Sequence, residues 1–215
     1  MKYKHIISIL FIFIAGTKAF GQSYFVDDDK TFYGGLILGT NITQVDGDDY
    51  VGYDKYGLNV GGIVYTKLAE QIAWSMEILY SQKGSKSNGK QSLQPGIYLN
   101  TYGIELNYAE IPIMINYFTK KKSNFGGGFS YSRLASSNEY LTSNLPQNFD
   151  QNKYPFKKSD YNIILGGNLH LWQGLFLNIR FQYSLLSIRD KIPQNYAMSA
   201  QYNNMWVIRF MYLFF

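Results

Sequence analysis

The stretch YNIILGGNLHLWQGLFLNIRFQYS, residues 161–184, predicts two neighbouring β-strands. Apolar and polar residues alternate along its second half, where one face carries Leu175, Leu177, Ile179, Phe181 and Tyr183. Alternation with a period of two indicates a strand that has one apolar and one polar face. Because only Gln173 separates the two strand-like halves, we expect these strands to run antiparallel and side by side.

Strand-like segments continue through the rest of the chain, and no window after residue 21 has convincing helical periodicity. The eight segments are Phe32–Gln44, Lys55–Lys67, Gln71–Lys83, Tyr102–Phe118, Asn124–Leu134, Ser159–Trp172, Gly174–Ile188 and Gln201–Phe215. Most are longer than the roughly 5–6 residues of a soluble strand. They are long enough to cross a bilayer at a tilt, which takes about 9–11 residues.

The connections between these segments alternate strictly between short and long. The short ones are Leu68–Glu70, Thr119–Ser123 and Gln173, and the long ones are Val45–Asp54, Gly84–Thr101, Ala135–Lys158 and Ile188–Ala200. In an up-and-down sheet this order places every short turn at one end, as in transmembrane β-barrels. The sequence therefore predicts an all-β, eight-stranded antiparallel up-and-down transmembrane barrel over residues 32–215. A soluble periplasmic β-protein is the alternative.

The first 21 residues have the pattern of a cleavable signal peptide. Lys2 and Lys4 precede the apolar run Ile6–Ile14, and Ala19 and Gly21 supply small residues before a cleavage site. The apolar run is shorter than the ~20 residues that a membrane-spanning helix needs, which disfavours an uncleaved anchor. We expect residues 22–31 to form a short periplasmic segment and the protein to be located in the cell outer membrane.

Composition agrees with a sheet that is apolar on one face and polar on the other. Aromatic residues make up 18% of the chain and charged residues only 16%, below the roughly 25% of soluble domains. The chain has no cysteine, which excludes disulfides and thiolate chemistry. Much of its net charge of +5 lies in the leader, so the sequence predicts no nucleic-acid partner.

Two details of the fourth segment suggest an irregular strand. Apolar residues change parity between Tyr108 and Ile111, and Pro112 removes a ladder donor. A β-bulge near Ala109–Glu110 would explain both features. The residues that we expect in the aromatic girdles at the two membrane interfaces are Trp74, Tyr80, Tyr108, Tyr117, Tyr183, Trp206 and Tyr212.

An eight-stranded barrel has an interior that side chains fill, so the polar faces of these strands predict a structural network rather than a water channel. Its expected charged members are Glu77, Glu105, Glu110, His170, Arg180 and Arg209. Buried charges are normally paired, which favours this interpretation over a proton path or a ligand site.

Enzymatic chemistry is not predicted, and no cofactor or metal is expected. His170 is the only histidine of the mature chain, and its segment places it near a short turn, away from surface lipid. Asp46, Asp48 and Asp49 resemble oxygen ligands for calcium but lack the full spacing of an EF-hand loop, which favours a solvated acidic loop.

The two longest loops are candidate binding surfaces on the outside of the cell. Their plausible contact residues are Tyr98, Tyr140, Leu141, Phe149 and Tyr154.

Three blocks resemble the PorT-like outer-membrane β-barrel family of Bacteroidetes: Gly35–Asn41, Glu77–Gly84 and Leu106–Pro112. The resemblance implies a small outer-membrane barrel and, through the founding member of the family, a link to type IX protein secretion. The ending Leu213–Phe215 resembles the aromatic terminus that the outer-membrane assembly machinery recognises, so that machinery and outer-membrane lipid are expected partners, with secretion or envelope proteins as further ones. We expect a non-enzymatic protein of envelope structure or surface binding. The alternatives are a secretion accessory and, third, a lipid-modifying enzyme.

Overall fold

A computed structural model describes residues 32–48, 52–87, 91–94, 97–119, 122–143, 154–190 and 199–214. The predicted signal peptide, 1–21, and the predicted periplasmic segment, 22–31, lie outside these residues. Within the described ranges, no helix is both long enough and apolar enough to cross a membrane.

In the described part of the chain, nine β-strands make up one sheet. They are β1 (Phe32–Asp46), β2 (Lys55–Ala69), β3 (Ile72–Lys86), β4 (Gln91–Gln94), β5 (Ile97–Phe118), β6 (Asn124–Ser143), β7 (Ser159–Trp172), β8 (Leu175–Ser184) and β9 (Tyr202–Leu213). Their order is β3-β2-β1-β9-β8-β7-β6-β5-β4, and an additional antiparallel pairing of β3 with β5 closes the sheet. Eight strands thus form the closed antiparallel barrel that the sequence predicts, and among the described residues β4 pairs with β5 alone.

The connections between β2 and β3, β5 and β6, and β7 and β8 define the short-turn end of the barrel. The connections between β1 and β2, β3 and β5 (which contains β4), β6 and β7, and β8 and β9 define the long-loop end. Three strand bounds differ from the prediction by four residues or more. The segment predicted to end at Ile188 leaves the sheet at Ser184, the segment predicted to begin at Tyr102 begins at Ile97, and β6 continues past Leu134 to Ser143. At that point the register shifts, with Tyr108 opposite Leu134 and Asn107 opposite Ser136, so Ala135 is an extra residue. The residues directly beyond this bulge, Ser136–Glu139, are polar and lack alternation, which is why the sequence pattern ended at Leu134.

The bulge predicted near Ala109–Glu110 is wrong, because β5 keeps one register against β3 on both sides of it. From Tyr102 to Phe118, the inward-facing residues of β5 are the even-numbered ones. Apolar residues change parity because the lumen itself is apolar at the long-loop end, where Leu106 and Tyr108 point inward. Pro112 interrupts only the pairing with β3, since the register skips it and Ile111.

The outer surface of the barrel is a band of exposed apolar side chains, such as Leu36 and Ile78, which are 60% and 66% exposed. Aromatic side chains border the band at both ends. The outward-facing ones are Tyr80, Tyr131, Tyr161, Tyr183 and Trp206 towards the long loops, and Tyr117, Phe125, Tyr212 and Phe214 towards the short turns. Such a band with two girdles suits a lipid environment. Tyr108, predicted for a girdle, is instead buried in the lumen.

Candidate functional site

The lumen of the barrel is filled by layers of side chains. At the short-turn end lies an apolar layer formed by Tyr33, Ile37, Ile63, Tyr65, Ala73, Leu79, Phe118, Phe176, Met211 and Leu213. All of these residues are at most 5% exposed. This layer closes the lumen between its polar middle and the short turns.

Above that layer, Glu77 forms ion pairs with two arginines. Arg209 donates from Nη2 to Oε1 at 2.6 Å and from Nη1 to Oε2 at 2.8 Å, and Arg180 donates from Nη1 to Oε2 at 3.1 Å. All three side chains are at most 2% exposed. The fork between Arg209 and the carboxylate is the geometry of a strong bidentate pair. With two cations and one anion, this lower cluster carries one positive charge.

A second cluster lies closer to the long loops and has the opposite charge. Nζ of Lys83 is 3.2 Å from both Oε2 of Glu110 and Oδ2 of Asp160. Gln182 donates to Glu110, and Asn203 donates to Asp160 at 2.9 Å. This upper cluster has one cation and two anions.

The two clusters neutralise each other. Arg180 of the lower cluster lies two residues from Gln182, which bonds Glu110 of the upper one. Taken together, three cations face three anions, so burying the complete set costs far less than burying either cluster alone.

Two glycines make room for the arginines. A Cβ atom on Gly39 would lie 2.2 Å from Cβ of Arg209, which is opposite it on β9. A Cβ atom on Gly166 would lie 2.4 Å from Cβ of Arg180, its partner on β8. Each arginine can therefore turn into the lumen because its neighbour has no side chain.

Arg189 organises the long-loop end. Its Nη1 and Nη2 donate to the carboxylate of Glu139 at 2.6 and 2.8 Å, and its Nε donates to Gln201 at 2.9 Å. Its guanidinium lies 4.1 Å from the ring centroid of Phe156. Burial acts to lower the pKa of Arg189. The hydrogen bonds and the charge of Glu139 outweigh burial, so the pKa lies above its ordinary value. The side chain is therefore held in its charged form.

An apolar layer beneath Arg189 closes the lumen. It consists of Val45, Tyr102, Ile104, Leu106, Tyr108, Leu134, Phe156 and Ile188. The hydroxyl of Tyr102 donates to Glu139 and so connects this layer to the Arg189 cluster. The described lumen is thus filled from one end to the other, as expected for eight strands.

Four of the six predicted network residues meet in the lumen: Glu77, Glu110, Arg180 and Arg209. Glu105 does not. The regular register of β5 places it on the outer face, where its side chain is 46% exposed and 3.6 Å from Lys55.

His170 is also outside the network. It is half-buried at the short-turn end, with Nε2 2.8 Å from the carbonyl oxygen of Gln173 and its ring 5.2 Å from that of Phe176.

The charged residues that sequence reasoning missed are Lys83, Asp160, Glu139 and Arg189. Lys83 shares its parity with Glu77 on β3, so alternation carried a signal for it. Glu139 follows the bulge and Arg189 lies beyond the end of β8, so alternation could not place either of them.

Of the predicted loop contacts, Tyr140 and Tyr154 are half-buried, and Tyr154 packs against the apolar layer beneath Arg189. Tyr98 and Leu141 lie in β5 and β6, and Phe149 lies outside the described residues.

The acidic loop is not simply solvated, because Asp48 is buried and accepts a hydrogen bond from Ser85. Asp46 accepts hydrogen bonds from Gln44 and Asn204, while Asp49 lies outside the described residues. In the part of the chain that the structure describes, no three His, Cys, Asp or Glu residues are grouped so that they could hold a metal ion.

Solved structures similar to this chain include three proteins. Ail of Yersinia pestis, in complex with the heparin analogue sucrose octasulfate, is 10% identical; the match covers 86% of this chain and all of Ail, with a TM-score of 0.43. Neisserial surface protein A is 9% identical over 86% of this chain and 98% of its own, with a TM-score of 0.47. OprG of Pseudomonas aeruginosa is 11% identical over 85% and 94%, with a TM-score of 0.40.

No curated protein matches the chain. A family model, described as the outer membrane protein beta-barrel domain, matches residues 22–190, which is most of the sequence. The chain therefore belongs to the family of outer membrane protein beta-barrel domains.

Proposed function

We propose that this protein is a non-enzymatic surface protein that binds partners outside the cell through the long-loop end of its barrel. The filled lumen argues for a rigid support rather than a transport path, because no layer of it is open to solvent in the described residues. Contacts with partners outside the cell are then made by the loops.

The observation that carries this proposal is the set of contacts made by Arg189. Its side chain contacts β6 through Glu139, and the segment before β7 through Phe156 and the carbonyl of Tyr154. It also contacts Gln201, the residue before β9. Strand β6 and two connections, β6–β7 and β8–β9, are thus held in one arrangement before any partner arrives. A preorganised surface loses less conformational entropy on binding than a set of independent loops.

A lipid-modifying activity has no support in the described chemistry, since His170 lies at the short-turn end. The finer assignment to the PorT-like group, with an accessory role in a type IX-like secretion system, rests on sequence resemblance alone. Two of the resembling blocks contain Glu77, Lys83 and Glu110, which are lumen residues. The resemblance therefore speaks for a shared barrel interior more than for a shared partner.

Site-specific photo-crosslinking on intact cells tests the proposal. A photoreactive amino acid at Asn138, near the long loops, is expected to give a discrete adduct that is lost in an Arg189→Ala variant. The same label at Glu70, in a short turn, is the matched control.

The absence of an adduct at Asn138 would overturn surface binding. An adduct that is unchanged by Arg189→Ala would overturn the role of Arg189 in it. Heat-modifiable migration in unboiled gels must show that the variant barrel is still folded.

A further inference from the structure

In the lumen that the structure describes, Lys83 is the one amine among the ion pairs. Its Nζ lies 3.2 Å from Oδ2 of Asp160 and 3.2 Å from Oε2 of Glu110, and all three side chains have no exposed surface. The other ion pairs there use arginine. An amine differs from a guanidinium because it becomes a nucleophile when it gives up a proton.

Glu110 is placed to take that proton. Its Oε1 accepts a hydrogen bond from Gln182, but among the described residues no group donates a hydrogen bond to its Oε2. This second oxygen is the one that lies 3.2 Å from Nζ of Lys83. A carboxylate at this distance from the proton that it removes meets the geometric requirement for a general base.

The carboxylate of Asp160 is fixed beside the amine by two further donors. Ser184 donates from Oγ to Oδ1 at 2.8 Å, and Asn203 donates from Nδ2 to Oδ2 at 2.9 Å. Because Cγ is bonded to Oδ2, the carbon that an amine attacks is adjacent to Nζ of Lys83. Groups held together in this way react far faster than the same groups in solution. A donor at the oxygen that gains negative charge stabilises the intermediate of such an attack.

Apolar layers shield these groups from water on both sides. The layer at the short-turn end lies below them, and the layer beneath Arg189 lies above them. Tyr108, a member of the upper layer, has its ring centroid 4.9 Å from Nζ of Lys83. Charges are costly to keep in such a place, and an uncharged amide removes two of them. Exclusion of water also protects an amide from hydrolysis.

We propose that Lys83 and Asp160 join in an isopeptide bond after the barrel has folded. Glu110 accepts a proton from Nζ, and the amine attacks Cγ of Asp160. The new C–N bond replaces the bond from Cγ to one carboxylate oxygen. That oxygen leaves as water with the two protons that the nitrogen has lost, one of them returned by Glu110. One ammonium and one carboxylate thus become one amide and one water, and no oxidant or other reactant is needed.

The charges that remain in the lumen still balance. The bond removes one cation and one anion from the two clusters, so two arginines and two glutamates are left. Glu110 keeps a cationic neighbour, because its charge and that of Arg180 act on each other. Among the described residues, Nε and Nη2 of Arg180 have no hydrogen-bond partner, so this guanidinium has donors to spare.

The bond would cross the barrel. Lys83 lies on β3 and Asp160 on β7, which are separated in the sheet by β5 and β6. A cross-link between distant positions constrains the unfolded chain, as a disulfide does. This chain has no cysteine, so an amide is a chemically available alternative. The inference goes beyond surface binding and does not depend on it.

Peptide mass spectrometry of the protein from outer membranes tests the inference. Its tryptic digest is expected to contain a branched peptide that joins Lys83 to Asp160 and is lighter than its two parts by one water, about 18 Da. Unfolded protein from inclusion bodies is the control, because it lacks the geometry and should give the two separate peptides. Separate peptides from the folded wild-type barrel would overturn the inference.

A substitution of the base tests the mechanism. Glu110→Gln keeps the shape of the side chain but cannot accept the proton, so the branched peptide should be lost. Heat-modifiable migration selects the barrels that are folded. Glu105→Gln, on the outer face, is the matched control and should keep the branched peptide. A wild-type yield of the branched peptide in folded Glu110→Gln would contradict Glu110 as the base.

Discussion

The carboxylate of Glu77 on β3 accepts hydrogen bonds from both terminal nitrogens of Arg209 on β9, two strands that are separated in the sheet by β1 and β2. The pair therefore spans the lumen rather than following the barrel wall. Both side chains are at most 2% exposed, so the interaction is screened little by water or salt.

Glu77→Gln should destabilise the barrel strongly. The substitution leaves Arg180 and Arg209 buried without their shared anion, and breaking a buried pair in this way costs about 3–5 kcal/mol. Urea unfolding of the barrel in lipid vesicles, followed by tryptophan fluorescence, measures the change. Glu105→Gln is the control, because the partly exposed Glu105–Lys55 pair contributes about 0–1 kcal/mol. Equal effects of the two substitutions would contradict the lumen assignment.

Gly39→Ala should also destabilise the barrel, through overpacking. The added Cβ atom would lie 2.2 Å from Cβ of Arg209 and close to its backbone, so the arginine must move from Glu77. Overpacking of this kind typically costs about 1–3 kcal/mol. Gly34→Ala is the matched control, since a Cβ atom there meets nothing within 4 Å. The same unfolding assay compares them, and a control as unstable as Gly39→Ala would argue against the steric explanation.

The barrel was predictable from sequence because its evidence is local. Alternation identified the strands, and the order of loop lengths identified the closed up-and-down arrangement. Details that depend on long-range register were not predictable. The extra residue Ala135 reverses the parity of the upper part of β6, so Glu139 faces inward although alternation from Leu134 would place it outside. Glu105 was wrongly predicted to face the lumen, because the change of parity along its strand was interpreted as a bulge. That change marks an apolar layer inside the lumen.

Arg189→Lys should loosen the long-loop end while the barrel stays folded. An ammonium cannot reproduce the fork to Glu139 together with the bond to Gln201. Hydrogen exchange of residues 154–158 should speed up at least several-fold in mass spectrometry, with unchanged exchange in β8. Lys157→Ala is the control, because its pair with Asp190 is exposed. If Arg189→Lys exchanged like wild type, the Arg189 contacts would not hold the loops.

Asp190 should titrate below its ordinary value of 3.8. Hydrogen bonds from Lys157 and Ser187 stabilise the carboxylate and lower the pKa. A lowered pKa in the folded state means that this contact stabilises the loop above the ordinary range and is lost as pH falls through the lowered value. An NMR titration of the side-chain carboxyl measures the midpoint. Lys157→Ala should return it towards 3.8, and an unchanged midpoint would exclude Lys157 as the main cause.

The long-loop end should face the outside of the cell. The chain has no cysteine, so a single introduced thiol reports its own surroundings without a background. Asn138→Cys, on the exposed upper part of β6, should react on intact cells with a membrane-impermeant maleimide. Glu70→Cys, in the exposed turn between β2 and β3, should react only after the outer membrane is permeabilised. Labelling of Glu70→Cys but not Asn138→Cys on intact cells would reverse the orientation, and with it the proposal that the loops contact partners outside.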